Sequence, residues 1–387
     1  MRFLRDLSLS AVVAGFVTVL VGYTSSAIIV FQAARACGAG PLEIASWMLA
    51  LGVGMGLTCI GLSLRYRVPV VTAWSTPGAA LIATSAAGLP MSAAIGAFLV
   101  SGALLLLFGV TGWFERWMSR IPMALAAGML AGVLLRFGLD AFASARTQPL
   151  LVLSMFAAYL AGRRLWPRYA VVGVLVVGTA LAGLTGQLRL GGIELALARP
   201  VFTVPTFTVG ALVGLAIPLF VVTMASQNVT GVAVMQASGY GSTPISPLIG
   251  WTGAATLLLA PFGGYAFNLA AITAALCMGA EAHEDPARRY VAAVAAGTFY
   301  LVLGLLGATV GSFFAAFPRE LVLALAGLAL LGTIGNGLVA AVREEGQREP
   351  ALVTFLVTAS GVSLLGVGSA FWGLVAGLIA LAVLRRP

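Results

Sequence analysis

The sequence predicts an all-α polytopic membrane protein made of two related halves in inverted orientation. Three observations predict it. Long apolar runs recur from one end of the chain to the other. Of its 387 residues only 9% are charged while 60% are hydrophobic. Two of the apolar runs are too short to cross a bilayer, and each follows a piece of β-like sequence. A soluble domain carries roughly a quarter charged residues, so the runs read as spans rather than as buried core helices.

Taken in order, apolar segments run roughly 10–34, 43–63, 75–88, 91–111, 121–138, 148–162, 168–186, 209–238, 248–260, 268–280, 289–312, 320–341, 351–366 and 368–384, about fourteen in all. The first follows MRFLRDLSLS. No small-residue cleavage site ends it, so it reads as a span and not as a signal peptide. A helix needs about 20 apolar residues to cross, which 75–88 and 268–280 lack. They follow VPVVTAW (Val68 to Trp74) and PFGGYAF (Pro261 to Phe267), where Pro69, Pro77, Pro261, Gly263 and Gly264 interrupt any helix. Spans 3 and 10 are therefore predicted as short β-strands, 68–74 and 261–267, each leading into a half-helix.

Charge gives orientation. The net charge is +9, and every basic residue except His283 is an arginine. With the N-terminus in the cytoplasm and fourteen crossings, six arginines fall outside (Arg35, Arg136, Arg146, Arg189, Arg199 and Arg319) and the other fifteen inside. Cytoplasmic loops favour arginine, so both termini are expected in the cytoplasm. The positive charge is thus an orientation signal, and no nucleic-acid partner is expected. Cys37, Cys59 and Cys277 lack metal-ligand spacing; they read as small packing residues, with no metal or cofactor expected.

The two halves are legible in a weak repeat. Val30-Phe31-Gln32-Ala33 aligns with Val234-Met235-Gln236-Ala237, which sets Tyr23 against Gln227. Halves of seven spans, near 1–190 and 206–387, begin on opposite sides of the membrane, so the repeat is inverted. Matching interrupted spans in inverted halves point to a transporter's binding site. Extended backbone in a bilayer must find partners inside protein, so the two strands are expected to pair with each other near the midplane. Ser75 or Thr76 is the expected N-cap of one half-helix, with Pro77 in its first turn, and Asn268 that of the other. Their free N–H groups and dipoles would favour an anion at one central spot.

The runs TAWSTPGAAL (Thr72 to Leu81), ASQNVTGVAVMQASGY (Ala225 to Tyr240) and FGGYAFNLAAITAA (Phe262 to Ala275) resemble the benzoate/proton symporter family, BenE. The resemblance covers nearly the whole chain. It implies a 7+7 inverted-repeat fold similar to that of nucleobase permeases and sulfate-type anion transporters. In that fold 1–111 (spans 1–4) and 206–312 (spans 8–11) form a core domain, and 112–205 (spans 5–7) and 313–387 (spans 12–14) a gate domain. The implied function is import of benzoate or a similar aromatic carboxylate by proton symport in a bacterial cytoplasmic membrane, with the core moving against the gate in an elevator-like way. The fold analogy also suggests a homodimer through the gate. A transporter or facilitator of another small anion or a nucleobase in the same fold is the alternative.

Within that frame the polar run TMASQNVTGV (Thr223 to Val232) faces the central site. The expected substrate contacts are Tyr23, Trp74, Ser75, Thr76, Gln227, Asn228, Tyr265, Phe267 and Asn268. Neutral donors would hold the carboxylate and rings would hold the aromatic group, although alternation along a strand keeps some of these off the site. Polar residues also bond helices to one another, and that reading stays open for Gln227 and Asn228. All twelve acids fall in loops or at span ends, which disfavours a neutral nucleobase held by a carboxylate and leaves no obvious proton relay. Glu43, Asp140, His283 and the substrate's own carboxylate are the candidates. Asp140 stands at helical i,i+4 spacing from Arg136, which suggests an ion pair. One histidine and no mid-span acid argue against an enzyme.

Overall fold

The computed structural model describes residues 6–114, 122–166, 170–188, 195–279, 282–362, 364 and 369–384. Both chain ends and eight of the orienting arginines (Arg2, Arg5, Arg116, Arg120, Arg168, Arg189, Arg385 and Arg386) lie outside these residues, as do Glu115, Glu194 and Glu281.

Helices α1 (Leu9–Ala36) and α2 (Pro41–Tyr66) lead to strand β1 (Thr72–Trp74) and half-helix α3 (Thr76–Ser85). Then come α4 (Met91–Thr111), α5 (Met123–Ala143), α6 (Pro149–Leu165) and α7 (Ala170–Leu184). A helical stretch from Val209 to Ala237, α8, comes next, followed by α9 (Ile245–Leu259), β2 (Phe267–Leu269) and α10 (Ile272–Met278). The chain closes with α11 (Tyr290–Leu305), α12 (Gly307–Ala315), α13 (Arg319–Val342), α14 (Arg348–Ala359) and α15 (Ser369–Leu384). Among the described residues six helices are long and apolar enough to cross a membrane, or seven with α1, which bends by 44° between Tyr23 and Ser26. The bend has a local cause: Ser26 Oγ donates back to the Gly22 carbonyl at 2.8 Å, competing with the backbone ladder.

Two sequence expectations shift. The strands are shorter than 68–74 and 261–267, and the second begins where the expected one ends. Residues Ala260–Phe262 form a 3-10 turn. Gly263 and Ala266 then take positive φ, 95° and 40°, and extended pairing starts only at Phe267. The apolar run 289–312 is broken at Leu306 into α11 and α12.

Packing falls into two groups. Helix α2 packs chiefly on α11 and α4 on α9, while α5 packs on α13 and α14, α14 on α15, and α6 on α7. Water offers no driving force between helices in lipid, so close contact between small residues must supply it. Glycine supplies it here. A Cβ on Gly52 would stand 2.5 Å from Gly304 Cα, and one on Gly109 would stand 2.2 Å from Gly250 N. Residues 195–207 run extended across one end of the first group. Ala198 N donates to Leu305 O, Thr203 N to Pro261 O, Thr206 N to Ser92 O and Val201 N to Ser46 Oγ, so this strap touches α2, α4, α11 and the turn after α9. At the other end Asp6 accepts from Tyr290 Oη at 2.8 Å and pairs with Arg67 at 3.4 Å and Arg288 at 3.7 Å.

Candidate functional site

The strands pair antiparallel with Thr72 opposite Leu269, Ala73 opposite Asn268 and Trp74 opposite Phe267. The ladder extends outward through Ser75 N to Ala266 O and Ala270 N to Val71 O. A two-stranded sheet has two free edges, and in a buried setting each outward N–H needs a partner. Side chains supply all four. Thr72 N donates to Cys59 Sγ at 3.1 Å and Trp74 N to Met55 Sδ at 3.2 Å. On the other edge Phe267 N donates to Thr256 Oγ1 at 3.2 Å and Leu269 N to Asn228 Oδ1 at 3.0 Å. Thr58 Oγ1 adds a 2.6 Å bond to Thr72 Oγ1. The half-helices leave opposite ends of this pair.

Ser75 is the N-cap of α3: its Oγ accepts from Gly78 N at 3.0 Å, with Pro77 in the first turn. Ser75→Ala is expected to lower stability by about 1 kcal/mol through the lost cap, read as a lower melting temperature; unchanged melting would remove Ser75 from the cap. Thr76 follows, half-buried. Asn268 does not cap α10. The helix begins at Ile272, its N-cap position is Ala271, and no side chain caps it. Asn268 lies in the middle of β2 because the 3-10 turn pushed the strand C-terminally. Its Nδ2 donates to Ala266 O at 3.0 Å, while its buried Oδ1 has no hydrogen-bond partner. Side chains of directly opposed residues share a face, so Asn268 stands beside Ala73 and Thr72, Trp74, Phe267 and Leu269 lie on the other face; of these six only Ala73 is not buried.

The polar run of α8 has a cause that helical periodicity cannot reveal. Thr223–Asn228 is π-helical, as is Leu212–Ala216. A π segment widens the helix and re-aims its side chains, and such segments recur at functional sites. Asn228 is fully buried and holds β2; its Nδ2 reaches Met224 Sδ. Gln227 is half-buried, and no atom of its side chain is hydrogen-bonded to a described residue. Thr230 is exposed and bonds back to the carbonyls of Ser226 and Gln227. Buried Thr223 Oγ1 has no partner.

The expected aromatic contacts divide. Tyr23 meets Trp74 edge-to-face at 4.9 Å and lies 6.1 Å from Tyr300. Trp74 Nε1 donates to Ser26 Oγ at 2.9 Å, and Tyr23 Oη is buried without a partner. Tyr265 instead sits 5.8 Å from Trp47 and 5.7 Å from Phe98. The Phe267 ring presses on Gly54 of α2. Tyr23 and Trp74 are thus together, Phe267 stands directly opposite Trp74 in the strand pair, and Tyr265 packs on Trp47 and Phe98. The proton candidates stand apart from the strands. Glu43 Oε2 accepts from Gly40 N at the start of α2. Asp140 lies 3.9 Å from Arg136 on the exposed side of α5. His283 Nδ1 accepts from Asp285 N in a loop. Among the described residues no group of three or more His, Cys, Asp or Glu is placed to hold a metal ion.

Tyr300 and the edge-capping residues Met55, Cys59, Thr58 and Thr256 escaped sequence reasoning. Tyr300 had a signal: a tyrosine in the middle of an otherwise apolar run. The sulfur acceptors had none, since Met and Cys also serve as plain packing residues.

Two broken spans that leave a buried strand pair at opposite ends, beside partnerless polar groups, define a membrane transport protein. Solved structures share the fold. The transmembrane domain of a cyanobacterial bicarbonate transporter, BicA, aligns with a TM-score of 0.60 at 15% identity, covering 96% of this chain and 97% of that one. SLC26A9 aligns with a TM-score of 0.59 at 12% identity, covering 99% and 66%. Among curated relatives, the inner membrane protein YdcO of Escherichia coli strain K12 is 50% identical over 372 residues, 96% of this chain and 95% of that one. The benzoate membrane transport protein of Acinetobacter baylyi is 42% identical over 383 residues, 99% and 97%. The chain belongs to the BenE family, described as benzoate membrane transport protein, whose model matches residues 5–383. It is a transport protein and not an enzyme.

Proposed function

We propose that the chain imports benzoate or a closely similar aromatic carboxylate across the bacterial inner membrane by proton symport, its core domain moving against its gate. The observation that carries the reading is the pair of buried, unpartnered polar atoms at the strand pair, Tyr23 Oη and Asn268 Oδ1. Unsatisfied groups inside a protein are destabilising unless something completes them. A carboxylic acid completes either kind of atom: its carbonyl oxygen accepts from the Tyr23 hydroxyl on the Trp74 side of the strand pair, or its O–H donates to Asn268 Oδ1 on the opposite face. The rings of Tyr23, Trp74 and Tyr300 give the apolar part a wall. Gln227 is the remaining free amide, and Ser75 and Asn228 support the strands behind the site.

This chemistry makes the substrate its own proton carrier, which fits the positions of Glu43 and Asp140 away from the strands. In a site that takes up the neutral acid, apparent affinity for total benzoate tightens about tenfold for each pH unit of acidification above the acid's own pKa. Binding that stays flat with pH would exclude it.

The wider architecture is part of the proposal: fourteen crossings as 7+7, with 1–111 and 206–312 as core and 112–205 and 313–387 as gate. The packing supports it, since α2 on α11 and α4 on α9 are the same pair of contacts exchanged between halves. So does spacing: Gly102 and Gly109 of α4 follow Thr72 at the same intervals as Gly297 and Gly304 of α11 follow Phe267.

The direct test is uptake of radiolabelled benzoate into proteoliposomes. Accumulation above equilibrium only under an inward proton gradient is expected. Equilibration without a gradient would make the protein a facilitator, and no uptake would turn attention to other small anions. Asn268→Ala is expected to abolish benzoate binding while the protein remains folded in detergent; wild-type affinity would remove Asn268 from the site.

A further inference from the structure

One cavity lies apart from Tyr23 and Asn268. It is a groove of about 380 Å³ on the outer side of α2 and α9, lined by Leu57, Gly61 and Arg65 of the first and Trp251, Ala254 and Leu258 of the second. Leu57, Trp251 and Leu258 are 59%, 55% and 75% exposed. Val53 and Leu259 close its far end and recur, with Leu49 and Ala50, in a second cavity of about 200 Å³. Trp251 therefore stands at the Arg65 end. From Arg65 to Val53 the helix advances about 18 Å, close to the ~15 Å half-thickness of a bilayer core. The groove has the dimensions of one leaflet, with an arginine and a tryptophan at headgroup depth and aliphatic walls below.

We infer that this groove holds an acyl chain of an anionic phospholipid, its headgroup on Arg65, and that the lipid braces the strand pair from behind. The charge selects the occupant. Arg65 makes no salt bridge among the described residues; its guanidinium lies 5.7 Å from the Tyr66 ring. Arginine near the membrane surface favours anionic over zwitterionic headgroups. The floor supplies the coupling. Gly54 touches the Phe267 ring of β2, and Thr58 bonds Thr72 of β1. A chain lying on Gly54 and Thr58 thus presses on residues that hold both strands. The inference is independent of which substrate is carried.

The test titrates delipidated protein with palmitoyl-oleoyl phosphatidylglycerol or phosphatidylcholine and counts bound lipid by native mass spectrometry. Wild-type protein is expected to retain one phosphatidylglycerol about five-fold more tightly than phosphatidylcholine, and Arg65→Gln to erase that preference. Gly61→Leu fills the groove, and a Cβ there meets nothing within 4 Å; it is expected to abolish retention. Ala254→Leu fills it from the other helix, should Gly61→Leu fail to fold. Hydrogen exchange at residues 70–75 and 266–270 is expected to slow when phosphatidylglycerol is added to wild type and not to Gly61→Leu. Equal retention of the two lipids by wild type, or full retention by both filled variants, overturns the inference. So does displacement of the lipid by benzoate, which would make the groove an aromatic-acid site, or exchange that ignores the lipid.

Discussion

Asn228→Leu is expected to cost about 2–3 kcal/mol and to abolish transport. The substitution removes the acceptor of Leu269 N, whose 3.0 Å bond to Asn228 Oδ1 closes one edge of the strand pair. Leucine keeps the branching and heavy-atom count of asparagine but is bulkier, so the lost hydrogen bond is accompanied by some overpacking at this buried position. A buried donor left without a partner costs about 1–3 kcal/mol, and no water reaches it at membrane depth. The expected readout is a lower melting temperature in detergent together with faster hydrogen exchange at Leu269. Gln227→Leu is the companion variant: one position along the helix, half-buried and unbonded, it is expected to leave melting unchanged and to weaken substrate binding. Wild-type exchange at Leu269 in Asn228→Leu would show that the edge is held by something else.

Gly109→Val is expected to be at least as damaging, through a different route. Its Cβ would meet backbone atoms of Gly250 at 2.2 and 2.3 Å and Ser246 O at 2.8 Å. Backbone cannot rotate aside as a side chain can, so α4 and α9 must separate. Overpacking costs roughly 1–3 kcal/mol where side chains can give, and separation also forfeits the contacts on both sides of the glycine. Little folded protein is expected by size-exclusion chromatography. Gly173→Val, where nothing lies within 4 Å of the added Cβ, should elute as wild type. Normal elution of Gly109→Val would mean that the two helices are not locked in register.

Particular residues show how much of this was legible. Composition and run length gave the membrane class, and Pro77 with Ser75 gave the start of α3, because cap and proline chemistry is local. The pairing of two strands was legible from the bilayer's intolerance of open backbone. The position of β2 was not, since it depends on a 3-10 turn and two residues at positive φ, one of them Ala266, which carries no turn signal. Asn268 was singled out for the wrong local reason: it caps nothing, and its free oxygen is what makes it a candidate. Tyr265 and Phe267 were both expected at the centre; the turn seats Tyr265 against Phe98 and Trp47, while Phe267 stands across from Trp74 with its ring on Gly54. Asn228 was left open between binding and bonding, and its bond to Leu269 N places it behind the strands.

The capped strand edges also bear on how the protein is made. Phe267 follows Thr72 in the chain by 195 residues. At about 5–20 residues per second, β1 waits roughly 10–40 s for its partner. During that wait its outer edge is already sheathed, because Cys59 and Met55 lie on the helix synthesised just before it. Its inner edge, Ser75 N and Val71 O, stays open until Ala266 and Ala270 arrive. The second strand meets Asn228 and Thr256 in the same way, on helices that precede it. Each half thus enters the membrane carrying its own escort for one side of its strand and an unfilled vacancy on the other. Two half-chains translated together should find each other through that vacancy, and either one translated alone should be left to the proteases.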